Sequence, residues 1–583
     1  MAPAIWRPSP LIFAFLVGLV FIVLPALTWN VHAQQISAED AAQEALRRQE
    51  ERTKLQQAQA KKSTDVLRAE SDHDEDTRLP IESPCFHLTS IQVGDFTEWR
   101  WHFLQSMAKP FVGQCVGVQG LRKIAGYLDA RLIDAGYVTT RVSLAKQNLS
   151  EGNLIFSLHV GRLAGVVMKR ARSGDADTDW GTWKNAFPLA IGKPLNIRDL
   201  EQGVEQMKRL PSQSITTKIE PGIDADTSIV NVEREPADLN SRTHGTVSLD
   251  NSGSQTLGRA QLSANLSFDN LFGLNDIVSI NSNINAQQPN PRHRSYGVTT
   301  SYSIPWDYHL FSLSTNTNRF AQYVQGTTAR FLSSGKSNAS DAQWSYTALR
   351  SASSKWGVYG SVSARSAESF LDDVELVVQR RRTTNLEWGF NYKKFIENGS
   401  VDFSMGYRRG IGWGKAQDDY LSAATDGLTI RPRILNWNGS VYRAFQFGEK
   451  TLSWNSQMRG QSTRDMTLSI DHFSIGGRAS VRGFDGDSVL LAESGLLIRN
   501  EVSAPFAIAE GWASNLYLAL DYGRVTGASS VQLPGNALMG CAIGVRGQWN
   551  KMYFDLSVAT PVKKPEQFRS ARFTPYLSLT YSM

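Results

Sequence analysis

From about Thr246 to Met583, apolar and polar residues take turns along the chain. Val278, Ile280, Ser282 and Ile284 alternate with Ser279, Asn281, Asn283 and Asn285. Leu386, Trp388, Phe390 and Tyr392 alternate with Asn385, Glu387, Gly389 and Asn391. Phe554, Leu556 and Val558 do the same against Tyr553, Asp555 and Ser557, and Leu577, Leu579 and Tyr581 against Tyr576, Ser578 and Thr580. A period of two puts successive side chains on opposite faces of a strand. Turns rich in Gly, Asn, Asp and Ser separate the runs. One face is apolar and aromatic, the other small and polar. In a soluble sandwich the apolar face would form a core; in an outer-membrane barrel it faces lipid. Aromatic density and the lack of an all-apolar strand favour the barrel. Roughly 340 residues at ~20 per strand and turn predict about 16 antiparallel strands, enough to enclose an aqueous channel.

Upstream the period changes. Within residues 85–162, Cys85 to Val93 is strand-like, and Val118, Leu121, Ile124, Ala125, Leu128, Leu132 and Ile133 recur at helical spacing. Gly136 ends that helix. Val138 to Leu144 and Leu154 to Val160 read as strands, for a β-α-α-β-β order. Residues 163–237 repeat it. Leu163 to Lys169 is a strand, Trp180 to Phe187 a short helix, and Ile197, Leu200, Val204, Met207 and Leu210 the apolar stripe of a longer one. Ile215 to Ile219 and Ile229 to Val232 close the module. A repeat of ~75 residues is an organisational signal, and small modules with open sheet edges take peptides by adding a strand.

Residues 34–62 form a polar helix, with Ser37 and Asp40 as a capping box. Its apolar face is faint, so it is solvated, unstable, or threaded through a wet barrel. About 20 residues at ~1.5 Å each give ~30 Å, the thickness of a bilayer core. Residues 63–84 are an acidic linker with Pro80 and Pro84, too polar to pack a core. The apolar run Leu11 to Leu27, preceded by Arg7 and followed by Val31-His32-Ala33, reads as a secretory signal peptide spanning 1–33 and cut before Gln34. The alternative is an N-terminal membrane anchor. No later segment suits a transmembrane helix, so crossing a membrane requires a closed barrel with no unpaired edge.

Composition sharpens this. A mean hydropathy of −0.29 coexists with 15 Trp, 17 Tyr and 26 Phe, the mixture a membrane barrel needs. A net charge of +6 over 583 residues does not argue for nucleic acid. Cys85 and Cys115 share one small module, so they either bridge in an oxidising compartment, for ~3 kcal/mol, or are two buried thiols. Cys541 is a lone strand residue. The nine His show no metal spacing, no Gly-x-Ser-x-Gly occurs, and Gly335-Lys336-Ser337 lacks the earlier glycine of a phosphate loop because position 330 is Arg. Neither catalysis, cofactor nor metal is expected.

The candidate functional stretch is Val481-Arg482-Gly483-Phe484, inside a polar, glycine-rich segment at about 472–496. A cation flanked by Val, Gly and Phe suggests a loop tip that docks inward. As an isolated triplet it would be an ordinary surface turn. Downstream, Leu516, Leu518, Leu520 and Tyr522 alternate with Asn515, Tyr517, Ala519, Asp521 and Gly523, which puts Asp521 on the polar face of a strand.

These features resemble the two-partner secretion transporters, the FhaC/ShlB/HecB family, over essentially the whole mature chain. Gly136-Tyr137-Val138-Thr139-Thr140-Arg141 is similar to the GYxTTR stretch of the first POTRA domain in that family. Leu195-Asn196-Ile197-Arg198-Asp199-Leu200-Glu201-Gln202, with Arg209-Leu210-Pro211-Ser212, resembles the second domain's LNxRDxEQ and RLPS segments. Leu249-Asp250-Asn251-Ser252-Gly253 resembles the entry into the first barrel strand. Val481 to Phe484 matches the family's loop tip, and Asp521 and Gly523 its lumen-facing strand motif.

The resemblance implies a transmembrane β-barrel over 238–583, POTRA domains at 85–162 and 163–237 in the periplasm, and a pore-plugging helix at 34–62. It implies that Arg482 bonds Asp521 on the inner wall, with Val481 and Phe484 packed beside it. The implied function is export of a large unfolded partner, a TpsA-type exoprotein (adhesin, haemolysin or contact-dependent toxin), across the outer membrane. The partners implied are that exoprotein at the POTRA domains, outer-membrane lipid, and the barrel-assembly machinery; the transporter acts as a monomer. The alternative within the superfamily is a barrel-assembly insertase, against which two modules and a plug argue. Family barrels tend to end in an aromatic residue. This chain ends in Met583, whose parity with Tyr581 points it at lipid, so its assembly signal is weaker or differently read.

Overall fold

The computed structural model describes residues 77–583, apart from 95–97, 172, 178–179, 236–237, 239, 326–328, 426 and 508–510. The expected leader at 1–33, the plug helix at 34–62 and the linker up to residue 76 lie outside the described residues.

Sixteen antiparallel strands close into a barrel, from Thr243–Asp250 to Thr574–Ser582, with a two-residue strand, Val374–Glu375, paired beside them. Strand lengths run from 8 to 21 residues. The parity read from the pattern is kept. In Ala513–Thr526, Tyr517, Ala519, Asp521, Gly523 and Val525 are buried inside, whereas Leu516, Leu518, Leu520 and Tyr522 point out, Leu518 at 59% exposure. Such an apolar outer belt is stable only against hydrocarbon. Rings gather at the end of the barrel nearest the modules: His309 stacks on Tyr346 at 4.7 Å, Trp356 lies 4.3 Å from Tyr392, and Trp512 stacks on Trp549 at 5.5 Å. They form an interfacial girdle. The closing seam is short. The last strand pairs with the first over five residues, from Asp250↔Ser578 to Thr246↔Ser582, whereas the first pairs with the second over eight. Among the described residues no helix is long and apolar enough to cross a membrane.

The first module packs helices His102–Ala108 and Val118–Asp134 on a three-stranded sheet. Leu104, Ile124, Leu128, Leu132, Leu154 and Phe156 are fully buried between them. The longer helix has no capping side chain in its N-cap residue Gly117. Glu82, near the end of the linker, supplies one. Its carboxylate accepts from the backbone N–H of Gly117 at 3.1 Å and of Gln119 and Gly120 at 2.7 Å. At the other end Gly136 takes φ +96°, a conformation that favours glycine. Cys85 and Cys115 are joined in a disulfide with Cα atoms 5.5 Å apart, so the two-thiol alternative falls away.

The second module has strands Arg162–Arg170, Thr227–Arg234 and Ile215–Pro221 and one helix, Ile197–Lys208, with Asn196 accepting from Arg198 N at 2.8 Å as its N-cap. The expected helix from Trp180 to Phe187 is not formed; the segment is a turn. Its polar groups are spent on the barrel instead. Trp180 Nε1 donates to Asn270 O at 3.1 Å, and Asn185 Nδ2 donates to Leu274 O and Pro305 O. Gly181 at φ +123° also breaks helical geometry.

The helix Ile197–Lys208 is the hinge pin of the periplasmic side. At its start Ile197 N donates to Gly136 O at 2.8 Å and Asn196 Nδ2 to Ala135 O at 3.1 Å. Any side chain at Gly136 would strike Asn196, because an added Cβ lies 2.1 Å from its Oδ1. Along its body the helix meets the barrel. Arg350, with a side chain 1% exposed, bonds Gln202 and Glu205 at 2.9 Å each. Lys355 pairs with Glu205, and Arg209 donates to Ser303 Oγ at 2.6 Å. Asp199 accepts from the Tyr308 hydroxyl; burial pushes its carboxyl up, against the pull of that hydrogen bond.

Candidate functional site

The connection between the eleventh and twelfth strands runs from residue 463 to 493, starting earlier than the expected 472. It folds on itself as a hairpin of Phe473–Ile475 and Leu490–Ala492. Phe473, Ile475, Val481, Phe484 and Leu490 then bury themselves against Leu497, Val525 and Leu538 of the wall. Burial of large apolar groups, each worth about 1.5–3 kcal/mol, anchors the loop inside the lumen.

At its tip Arg482 is clamped. Nε and Nη2 donate to the two oxygens of Asp521 at 2.7 and 2.8 Å, and the Arg482 backbone N–H adds a third bond at 3.0 Å. Nη1 donates to Glu501 at 2.7 Å. Asp521 is fully buried and Arg482 is 6% exposed. A forked guanidinium–carboxylate pair is among the strongest polar contacts a protein makes. Truncating one partner of such a buried pair costs about 3–5 kcal/mol, because the other charge is left uncompensated. Asp521 sits five residues before the end of its strand at Thr526, so the tip lies within the lumen.

Glycines make the fit. Gly483 takes φ +105°, and a Cβ there would lie 2.5 Å from Thr560 O. At Gly523 a Cβ would lie 2.8 Å from Ile475 Cγ2 and 2.9 Å from Val481 Cγ2. Val481 and Phe484 are fully buried, with Phe484 edge-on to Phe568 at 5.5 Å. The six loop-tip and wall residues singled out from sequence, Val481, Arg482, Gly483, Phe484, Asp521 and Gly523, therefore meet at one place.

Other residues of the site were not singled out. Glu501 takes the outer prong of Arg482 and also Arg546 at 2.7 Å. Arg499 lies 3.7 Å from Asp521. Gly540, paired with Asp521 across the sheet, leaves room for the Arg482 carbonyl, which a Cβ would overlap at 1.8 Å. Tyr576 takes Gly483 N–H at 3.2 Å and donates to Phe484 O at 2.7 Å. The available signal was parity: Arg499 and Glu501 alternate with Ile498, Asn500 and Val502. The loop also ties down the seam. Arg478 donates to Leu577 O at 2.9 Å on the last strand and lies 3.4 Å from Asn251, just after the first. Asp487 grips Arg259 in the following loop.

The family described as "Haemolysin secretion/activation protein ShlB/FhaC/HecB" matches residues 226–547. A ShlB-type POTRA domain matches 86–161 and a second POTRA domain 167–221. The chain belongs to this family. It is an outer-membrane transporter whose POTRA domains lie in the periplasm. It is 33% identical over 524 residues to the outer membrane transporter CdiB-2 of Burkholderia pseudomallei strain 1026b, covering 86% of this chain and 87% of that one. It is 26% identical to the hemolysin transporter protein HpmB of Proteus mirabilis, covering 87% and 86%. The solved structure of CdiB from Escherichia coli superposes with a TM-score of 0.79 at 25% identity, over 93% of this chain and 98% of that chain.

Proposed function

We propose that this ShlB/FhaC/HecB-type transporter captures one large unfolded exoprotein at its POTRA domains and passes it through the lumen to the cell surface. What supports the reading is the buried Arg482–Asp521 clamp inside a sixteen-strand barrel whose mouth carries two POTRA domains. Residues 1–33 direct the chain to the periplasm, 34–62 plug the pore at rest, and 63–84 tether that plug. The loop tip holds the lumen in its resting shape, and its release accompanies passage. The work is done without catalysis, by a monomer inserted by the barrel-assembly machinery. The family description and the name of HpmB support a haemolysin as one cargo class, beside an adhesin or a contact-dependent toxin.

The test is Arg482→Ala in the intact transporter, with export of its exoprotein as readout. Export should fall at least about tenfold, well within the factor of about 150 by which a loss of about 3 kcal/mol weakens docking, while the barrel remains in the outer membrane. Unchanged export would remove the loop tip from the mechanism.

A further inference from the structure

The lumen wall is not uniform. Lumen-facing positions follow the register outward from the docked loop. Asn515, on the same face as Asp521, pairs with Arg546, Arg546 with Asp555, Asp555 with Ser578, Ser578 with Asp250, and Asp250 with Gln261. Continuing the register through the second to fifth strands, over 263–267, 279–285, 295–303 and 312–318, every lumen-facing residue is Ser, Thr, Asn or Gly. None can ionise. In a ring of sixteen strands this arc lies across from the tenth to thirteenth strands. There the lumen face carries Arg459, Arg499, Glu501 and Asp521, the wall on which the loop docks. Neighbouring groups on the uncharged arc bond sideways to each other. Ser279 and Ser301 are 2.6 Å apart, and Asn316 Nδ2 donates to Thr299 Oγ1 at 2.8 Å. The side chains are therefore laid along the wall.

A chain in transit brings backbone amides at every residue and charges of both signs. Against ionised groups it would stick or be repelled at each charge, since charge-assisted bonds are about twice as strong as neutral ones. Against hydroxyls and amides each bond is worth only about 1 kcal/mol net and exchanges with water. Passage requires sites that are many and individually weak.

We propose that the uncharged arc is the binding track for the exported polypeptide, which slides along it extended through its backbone amides. The charged wall opposite is kept for the loop. This rests on the export reading above and adds where in the lumen, and by what chemistry, the cargo is held.

The full-length transporter in planar bilayers tests it, with unstructured neutral, Lys-rich and Glu-rich peptides of matched length as probes of current block. For the unmodified chain, block times should differ by less than about threefold among the peptides. Asn281→Lys and, separately, Thr299→Lys should lengthen block by the Glu-rich peptide about tenfold, the value of one added charge-assisted contact, and shorten block by the Lys-rich one. The same change at Asn438 or Asn455 on the far wall should leave both within about twofold. Two independent arc positions guard against one misassembled variant, and heat-shifted gel mobility confirms the barrel. Charge sensitivity at Asn438 and Asn455 but not at the arc overturns the track while leaving export intact. Absence of block by every peptide, both in the full-length transporter and after deletion of the proposed plug at 34–62, overturns the pore reading itself.

Discussion

At Arg482 one side chain decides whether a whole loop stays in the barrel. Its guanidinium spends three nitrogens on Asp521 and Glu501, and its backbone adds a fourth contact. Arg482→Lys keeps the charge but loses the fork, so it should weaken docking less than Arg482→Ala. Asp521→Ala on its own leaves the Arg482 cation facing Glu501 alone. The double variant Arg482→Ala, Asp521→Ala removes both charges and should regain about half or more of the thermal stability lost by either single change, because the uncompensated charge is gone. Export should not return with it. Thermal melts in detergent beside secretion assays separate the two effects. A recovery of export in the double variant would show that the pair matters only for folding. Gly540 makes an independent case. Gly540→Val should expel the tip sterically, since its Cβ would overlap the Arg482 carbonyl. Protease cleavage within 463–493 from the outside should then accelerate.

Among the elements, the helix Ile197–Lys208 joins three bodies. Its first turn touches the end of the first POTRA helix through Asn196 and Arg198, and its side presses on the barrel turns through Gln202, Glu205 and Arg209. Arg350→Ala should free the helix from the barrel at a cost of about 1.5–3 kcal/mol, the range for a hydrogen bond to a charged group. Amide exchange in 197–208 should rise while the barrel strands stay protected. No change in exchange would assign the docking to Lys355, Arg209 and the Tyr308–Asp199 bond instead. The Glu82 cap makes a pH prediction. Burial pushes the Glu82 carboxyl up, but three backbone donors and the helix N-terminus outweigh it and hold it below the usual range. Its contribution is therefore present above the ordinary carboxylate pKa and is lost as pH falls through the lowered one. Protection of the Gly117, Gln119 and Gly120 amides, relative to the intrinsic exchange rate at each pH, should fall on acidification, and Glu82→Gln should remove most of that dependence. A pH-independent profile would exclude the cap as a titrating contact.

At the scale of the whole molecule, the barrel has no free edge, and its weakest closure is the five-residue seam that Arg478 reaches across. Its width lets a helix or an extended chain pass. Deleting residues 34–62 should raise single-channel conductance several-fold if that segment fills the pore at rest. A flat conductance would place it elsewhere.

How much of this was legible beforehand follows from what kind of information each feature needs. Strand parity is written residue by residue, so the lipid-facing row Leu516 to Tyr522 and the inward Asp521 could be read from a window of ten residues. The short helix expected at Trp180–Phe187 failed because its apolar spacing was real but its backbone and amides were claimed by barrel turns about 90 to 120 residues away. The clamp was only half legible. The tip and Asp521 stood out through resemblance, but Glu501, Gly540 and Tyr576 did not, because parity puts a residue on the inner face without saying which residues it meets there.

The sequence by itself determined that alternating strands must close around water, since a polar face and a greasy face on one strand leave no other stable arrangement in lipid. It also determined two repeated modules ahead of them. Tertiary structure alone decided which inward charges meet. Arg482 finds Asp521 and Glu501 through the stagger between neighbouring strands and the fold of the loop at 463–493, and both are properties of the closed ring rather than of any one stretch of chain.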